Sequence, residues 1–372
     1  MEKAKIDAVQ LFVLIVLFEL GSAMLIPLAI DADENAWLAI LLGMAFGFFL
    51  FLIYHALYKY YPDMLPTQYM QKILGKYIGW ALGFAYSIYF MYASARVLRD
   101  FGEMLLSVAY RETPLFIVNL LLMFLIMYTV YQGIEVLART GEILFSLLYL
   151  FAITGFILIV ASGLIDITHL KPVLEEGILP VLKVVVTETI YVPFGEMIVF
   201  TMIFPYLNNP KVARKIGISA IALSGINLTI VMAVNITVLG VDLTKRSQFP
   251  LLTTIQSIQI ANFLERLDVF FVLALIMTIF IKITLYFYAG VIGMGNLFKV
   301  EKVNQLVYPL GLVVLLISVS IASSISEHIK EGLKVVPILL HLPFQIIIPL
   351  ILLGIAFLKS KKKSKGSSAS DA

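Results

Sequence analysis

Lys282 stands alone among apolar and hydroxyl side chains in the run IFIKITLYF, residues 279–287. An unpaired Lys at the centre of a membrane helix costs about 2.5–3.5 kcal/mol on insertion scales, so a lysine kept there needs an acidic partner or a task. Two carboxylates qualify: Glu19 in FELGSAMLIP (18–27) and Glu196 in VPFGE (192–196), each beside a helix-breaking cluster. Either could form a structural ion pair that fixes one helix against another. Alternatively, the Lys282 ammonium stands where a coupling cation would otherwise bind. Gly21, Ser22 and Ala23, with Pro27 beyond, interrupt the first apolar run, and Pro193, Phe194 and Gly195 interrupt a later one. Gly is a weak helix former and Pro lacks a backbone donor. In hydrocarbon such chain can unwind only where it is buried in protein or lines a cavity. Two interruptions of this kind predict freed N–H groups and positive half-helix ends facing a small ligand at mid-depth. Two unrelated kinks are the plainer reading.

A second constellation is the stripe Tyr89, Tyr92, Arg96, Arg99, Asp100, Glu103 and Ser107. At 100° per residue it falls within an arc of about 100°, so it faces the bundle interior or a hydrated path and not lipid. Arg96 with Asp100, and Arg99 with Glu103, are i,i+4 pairs that can offset one another. Tyr92 and Arg96 lie nearer mid-depth and are the candidates for ligand contact. Thr278, Lys282 and Tyr286 share another helical face, as do His341 and Gln345. Gly43 and Gly47 form a GxxxG, read as close helix packing. Ser224, Asn227 and Asn235 read as interhelical hydrogen bonders; the two sequons beginning at Asn227 and Asn235 lie within an apolar run, where no sugar can be attached.

These residues need a membrane scaffold to hold them. Of 372 residues 61% are hydrophobic and 14% charged, with mean hydropathy +0.98, far beyond what a soluble domain hides. Apolar stretches at 8–29, 36–58, 78–107, 115–131, 142–163, 184–206, 216–240, 267–297, 303–324 and 335–358 predict ten membrane-spanning helices, an all-α integral membrane protein. The runs are continuous, without the alternation of a barrel. The interrupted first and sixth spans each open a set of five, and an odd number of spans reverses the second set. The fold expected is therefore two inverted five-helix repeats, about 8–163 and 184–358, with broken helices 1 and 6, forming one transmembrane domain over 1–358. With the N-terminus inside, 16 of the 27 Lys and Arg fall on one side and 7 on the other. That bias predicts both termini in the cytoplasm. The first span is read as retained and not as a cleaved signal peptide, because Glu19 interrupts its apolar core. Residues 67–76 read as an amphipathic helix on the inner surface. Leu251, Leu252, Ile255, Ile258 and Phe263 form an apolar stripe on an outer one, and 359–372 is a basic cytoplasmic tail beside anionic lipid. No cysteine is present, the four histidines lack metal-ligand spacing, and a net charge of +3 gives no nucleic-acid footprint. With no nucleophile elbow or phosphate loop either, the sequence predicts neither an enzyme nor a bound metal or cofactor.

Three segments carry a resemblance: FELGSAMLI at 18–26, TQYMQKILGKYIGW at 67–80 and PFGEMIVFTMIFPYLNNP at 193–210. With the length and the helix pattern, the chain resembles the spore germination permeases over essentially its whole extent. These are the B subunits of endospore germinant receptors, within the amino acid–polyamine–organocation superfamily. The resemblance implies the five-plus-five fold, residence in the inner membrane of the spore, and assembly with A and C subunits. It also implies a small germinant, typically an amino acid, held between helices 1, 3, 6 and 8, with Gly21, Ser22, Ala23, Pro193, Phe194 and Gly195 at the breaks. Sodium-coupled members of that superfamily bind a cation between helices 1 and 8. Lys282 at comparable depth departs from that pattern. The reading that follows is a ligand-sensing receptor subunit; the alternative is a proton-coupled amino acid transporter with Glu19, Glu196 or Lys282 as the titrating group.

Overall fold

The computed structural model describes residues 4–258 and 268–368, nearly all of them helical. In chain order the helices are α1 (Ala8–Leu20), α2 (Ala36–Tyr60), α3 (Pro66–Leu74), α4 (Lys76–Val108), α5 (Leu115–Gln132), α6 (Ile134–Ala161) and α7 (Leu179–Val184). They continue with α8 (Ala213–Arg246), α9 (Pro250–Gln256), α10 (Asp268–Leu297), α11 (Val307–Ser320), α12 (Ile325–Lys334) and α13 (Ile348–Ser368). Among the described residues eight helical segments are long and apolar enough to cross a membrane; Ala8–Met24 is a shorter apolar one. The 33-residue α4, which carries the tyrosine and arginine stripe and covers the expected third span at 78–107, is not among those eight. Phe263 and Arg266 lie outside the described residues.

Two ends of the bundle are defined by contacts between distant segments. At one, Ile6 pairs with Leu207, Thr67 donates to Asn296, and Lys359 Nζ donates to the carbonyl of Ile73, so Ile6 and Lys359 share this face. The amphipathic α3 lies there. At the opposite end Lys245 pairs with Asp33, the N–H of Asp166 donates to Thr237, and the α12 residue His328 bonds Asp100. The helix α9 also lies at that end, burying Leu251, Leu252 and Ile255. Large apolar side chains of α5, α6, α11 and α13 point outward, among them Leu121, Ile153, Leu316 and Ile351, the arrangement lipid favours. By contrast residues 13–20 of α1, 278–295 of α10 and Phe194–Met202 of the sixth span are buried throughout.

Both sequence interruptions are breaks in the structure. α1 ends at Leu20, the Gly21 N–H closes the last turn on Leu17, and Ser22–Met24 make a single tighter turn. The chain then leaves the helical path through Pro27 and left-handed Ala29 (φ 61°) before α2 begins. The sixth span runs from α7 into a π-turn at Val185–Thr189, loses its helix near Pro193, and resumes as 3-10 helix over Phe194–Met202. Pro193 cannot donate to the preceding turn, which ends the first half where the sequence suggests.

Elsewhere the boundaries differ from expectation for local reasons. α6 begins at Ile134, eight residues early, because Gly133 (φ 94°) makes the corner and Glu135 pairs with Arg139 at 2.6 Å, so charged residues fit in the first turns. α8 runs on to Arg246 across a kink at Gly240 (φ 75°). The tenth span opens as π-helix over Pro337–Ile347, where Pro343 withholds a donor.

Candidate functional site

Gly21 lets the first break approach α10. A Cβ there would lie 2.6 Å from Lys282 Cδ and 2.9 Å from the carbonyl of Phe18, so only glycine admits the lysine stem. On the other flank, a Cβ on Gly195 would lie 2.7 Å from the carbonyl of Ile190 and collide with Gln345 Oε1. Gly43 and Gly47 of α2 face the same region. A Cβ on Gly47 would meet Phe194 Cβ at 2.6 Å, and one on Gly43 would overlap Thr189. The GxxxG therefore seats α2 directly against the broken sixth span, as the packing reading expects.

Between the breaks Lys282 is fully buried and donates to Glu196 Oε2 at 2.5 Å. Its ammonium also sits 5.1 Å from the Phe18 ring centroid, and Phe18 packs edge-on to Tyr286 and Phe200. Of the two candidate carboxylates, then, Glu196 takes the lysine. Glu19 is also fully buried and within electrostatic reach of both, but neither of its oxygens accepts a hydrogen bond. Pairing through Glu196 ties α10 to the sixth span; the ammonium is thus held by side-chain charge in a dry environment, where such a pair is strong only with close geometry.

A polar layer lies one step along α4. Tyr89 Oη contacts His341 Nδ1 at 2.8 Å and accepts from Gln345 Nε2 at 2.9 Å, while its ring stacks on Phe344. Tyr54 Oη contacts the carbonyls of Gly195 (3.2 Å) and Gln345 (2.7 Å), joining α2 to the second break and to the tenth span. His341 and Gln345 do share a buried face. Tyr54 was not singled out from the sequence, although it continues the face of Gly43, Gly47 and Phe51.

The charged stripe is organised differently from its i,i+4 spacing. Arg99 and Glu103 do pair, at 2.7 Å, and Arg99 also donates to the carbonyl of Val319. Arg96, however, turns from Asp100 to the loop helix α12: its Nη2 donates to the carbonyl of His328 at 2.5 Å, and Nη1 lies 3.8 Å from Glu331. Asp100 instead contacts His328 Nε2 at 2.9 Å. Tyr92 stays with Arg96, its hydroxyl 3.4 Å from Nη1. Tyr92 and Arg96 therefore stand in a latch at the far end, while Gly21, Ser22, Ala23, Pro193, Phe194, Gly195, Glu19, Glu196 and Lys282 gather at the breaks. The signal for the latch was the charged face of α12, where His328 and Glu331 are one turn apart.

Glu188, which sequence reasoning passed over, is a further tie: its carboxylate accepts the N–H of Ala29 at 2.8 Å, joining the loop after the first break to the π-turn before the second. Asn227 and Asn235 do bond across helices, to Tyr149 and Thr254, whereas Ser224 bonds the carbonyl of Ala220 in its own helix. Two cavities open elsewhere: an apolar groove of about 760 Å³ between α6, α8, α9 and α10, and one of about 910 Å³ beside 295–305 on the face of Ile6 and Lys359. Neither is lined by Glu19, Glu196 or Lys282, which are buried from solvent.

The profile of the spore germination protein family matches residues 5–326. The chain belongs to that family. It is 53% identical to spore germination protein KB of Bacillus subtilis (strain 168) over 371 residues, covering 99% of this chain and all of that protein. Among solved structures it is similar to MhsT in complex with L-phenylalanine, with TM-score 0.67 and 13% identity over 96% of this chain and 89% of that one. It is also similar to Mhp1, a nucleobase-cation-symport-1 family transporter in a closed conformation with bromovinylhydantoin bound: TM-score 0.63 and 12% identity over 89% of this chain and 75% of that one. At those identities the likeness is one of fold, that of the LeuT-type transporters. The chain is a multi-pass membrane protein of the spore germination family with a transporter-like fold.

Proposed function

We propose that this protein is the germinant-sensing membrane subunit of a spore germination receptor, which binds a small amino-acid-like ligand between the breaks of its first and sixth spans. The observation that carries the reading is the meeting of both breaks at one enclosed cluster, Glu19, Glu196 and Lys282. The ten segments then cross the membrane as two inverted sets of five, with both chain ends in the cytoplasm and the basic tail against the inner leaflet of the spore's inner membrane. That MhsT was crystallised with L-phenylalanine supports an amino acid as the ligand class here. Ser22, Ala23 and Gly195 supply backbone around the ligand, and Phe194 walls it. Tyr92 and Arg96 act farther out, by holding the α12 loop over the far end. Binding favours one arrangement of the broken helices over another, and that preference passes to A- and C-type partner subunits.

A titration of the purified chain in lipid nanodiscs against a panel of amino acids, read as thermal stabilisation, tests this. A saturable shift with one or a few members is expected. No shift with any would contradict the ligand class. Reconstitution into vesicles separates sensing from transport: concentrative, proton-driven uptake by the lone chain would make it a proton-coupled amino acid transporter instead.

A further inference from the structure

The charged cluster does not balance. Two carboxylates, Glu19 and Glu196, face a single ammonium, Lys282, and all three are buried. Lys282 is committed to Glu196 at 2.5 Å, with the Phe18 ring on another side. Both Glu19 oxygens are left without a hydrogen-bond donor among the described residues, although Glu19 is wholly enclosed. A carboxylate held ionised and unpaired in a dry interior carries a penalty of several kcal/mol. Such a group marks a binding function unless something on its own chain answers it. A third acceptor without a donor, Gln345 Oε1, lies against Gly195 at the second break. The Tyr286 hydroxyl, close to Glu196 and Glu19, can donate one neutral hydrogen bond but brings no charge, so the surroundings of the two breaks still hold more carboxylate charge than Lys282 answers, which selects a donor bearing positive charge.

We propose that Glu19 is the receptor carboxylate for a small cationic group, either the ammonium of the organic ligand or a free monovalent cation, while Glu196–Lys282 serves as a permanent pair. This rests on the ligand-binding reading above and adds the charge the ligand site requires. Glu19 directly precedes the unwound segment, two residues before Gly21, so a cation seated on it also touches the chain where α1 can bend. Sequence alone could not separate the two glutamates, because each stands beside a break; the separation comes from the geometry of Lys282.

The test uses the full chain in nanodiscs at fixed pH and ionic strength, with N-methylglucamine chloride as the inert salt. Thermal stability is titrated with methylammonium, potassium and sodium chlorides, and separately with L-alanine and L-lactate, which differ by ammonium against hydroxyl. Saturable stabilisation of the wild type by methylammonium or by L-alanine over L-lactate assigns the site to an ammonium; saturation by potassium or sodium assigns it to a free ion. In either case Glu19→Gln should weaken the response by about tenfold or more, the loss of one charge-assisted hydrogen bond, while Glu19→Asp retains part of it. Infrared difference spectra of the wild type add a measurement of the charge on Glu19, with Glu19→Gln assigning the band. Addition of the active cation should leave the buried carboxylate bands ionised. The proposal is overturned if no cation stabilises the wild type, if Glu19→Gln responds unchanged, or if the spectra show a protonated acid band, absent in Glu19→Gln, that persists at saturating cation. Amino-acid binding in Glu19→Gln with every cation response of the wild type unchanged would sink this proposal and leave the sensing role standing. Cation binding with no amino-acid response would do the reverse.

Discussion

Replacing Lys282 by methionine removes the charge while keeping most of the stem that packs on Gly21 and Phe18. At 2.5 Å the attraction to Glu196 is about 7 kcal/mol for an effective dielectric near 20. Part of that is offset by the cost of desolvating both groups. Removing one member of such a pair typically costs about 3–5 kcal/mol, because the other is left buried and unanswered. Here the loss should reach the top of that range, since Lys282→Met leaves both Glu196 and Glu19 without a cation. The converse variant behaves differently. In Glu196→Gln the ammonium can turn to Glu19, which has no other partner, so about 1–2 kcal/mol is expected. Lys282→Met with Glu196→Gln should recover about half of what Lys282→Met alone loses. Equilibrium unfolding of the four proteins in mixed micelles gives the coupling as a double-mutant cycle. A cycle that closes additively, or a Lys282→Met protein within about 1 kcal/mol of wild type, would refute the reasoning that this pair secures α10 to the sixth span.

Gly21→Ala should destabilise by about 1–3 kcal/mol, because its Cβ would stand 2.6 Å from Lys282 Cδ and helix 1 must shift; a stability unchanged on thermal unfolding would contradict that contact. Gly47→Leu should separate α2 from Phe194 and lower stability more than Gly354→Leu, whose added carbon meets open space. Arg96→Ala should release α12, raising hydrogen exchange over 325–334 while α10 stays protected, since Arg96 holds the carbonyl of His328 and Glu331; unchanged exchange there would mean the loop is held by other contacts. At the start of α12 the Ser323 hydroxyl and N–H, with the Ser324 N-terminal turn, hold the exposed Glu327 carboxylate below its ordinary range. A depressed carboxylate stabilises above its unfolded value and loses that effect as pH falls through the folded one. Protection of the amides at 323–327, the exchange rate relative to the intrinsic rate at each pH, should therefore fall on acidification below the usual carboxylate range and stay flat above it.

Much of this arrangement was written in residue type and spacing. Pro193 and the Gly21-Ser22-Ala23 cluster announced the breaks because glycine and proline act locally, through chain geometry and a missing donor. Lys282 announced a charged partner because hydrocarbon leaves no other solution. The choice between Glu19 and Glu196 was not legible, since both stand beside a break and only the packing of α10 decides which one meets the ammonium. Arg96 and Asp100 misled for a related reason: i,i+4 spacing allows a pair, but α12 docks onto α4 and offers each a different partner, a carbonyl and Glu331 for one and His328 for the other. The π-turns at Val185–Thr189 and Pro337–Ile347 were equally hidden, because a change of hydrogen-bond register leaves the apolar pattern almost unaltered.

The most direct measurement exploits the absence of cysteine from this chain. Single cysteines at Ser22, Ala23 and Phe194, with Gly354 as a control on the lipid side, can each be modified with a small thiol reagent in proteoliposomes, with and without the amino acid that stabilises the protein. If the ligand sits between the breaks, saturating ligand slows modification at Ser22 and Ala23 at least about tenfold, changes that at Phe194, and leaves Gly354 untouched. Equal rates at all four positions with and without a ligand that demonstrably binds would place its site elsewhere in the bundle.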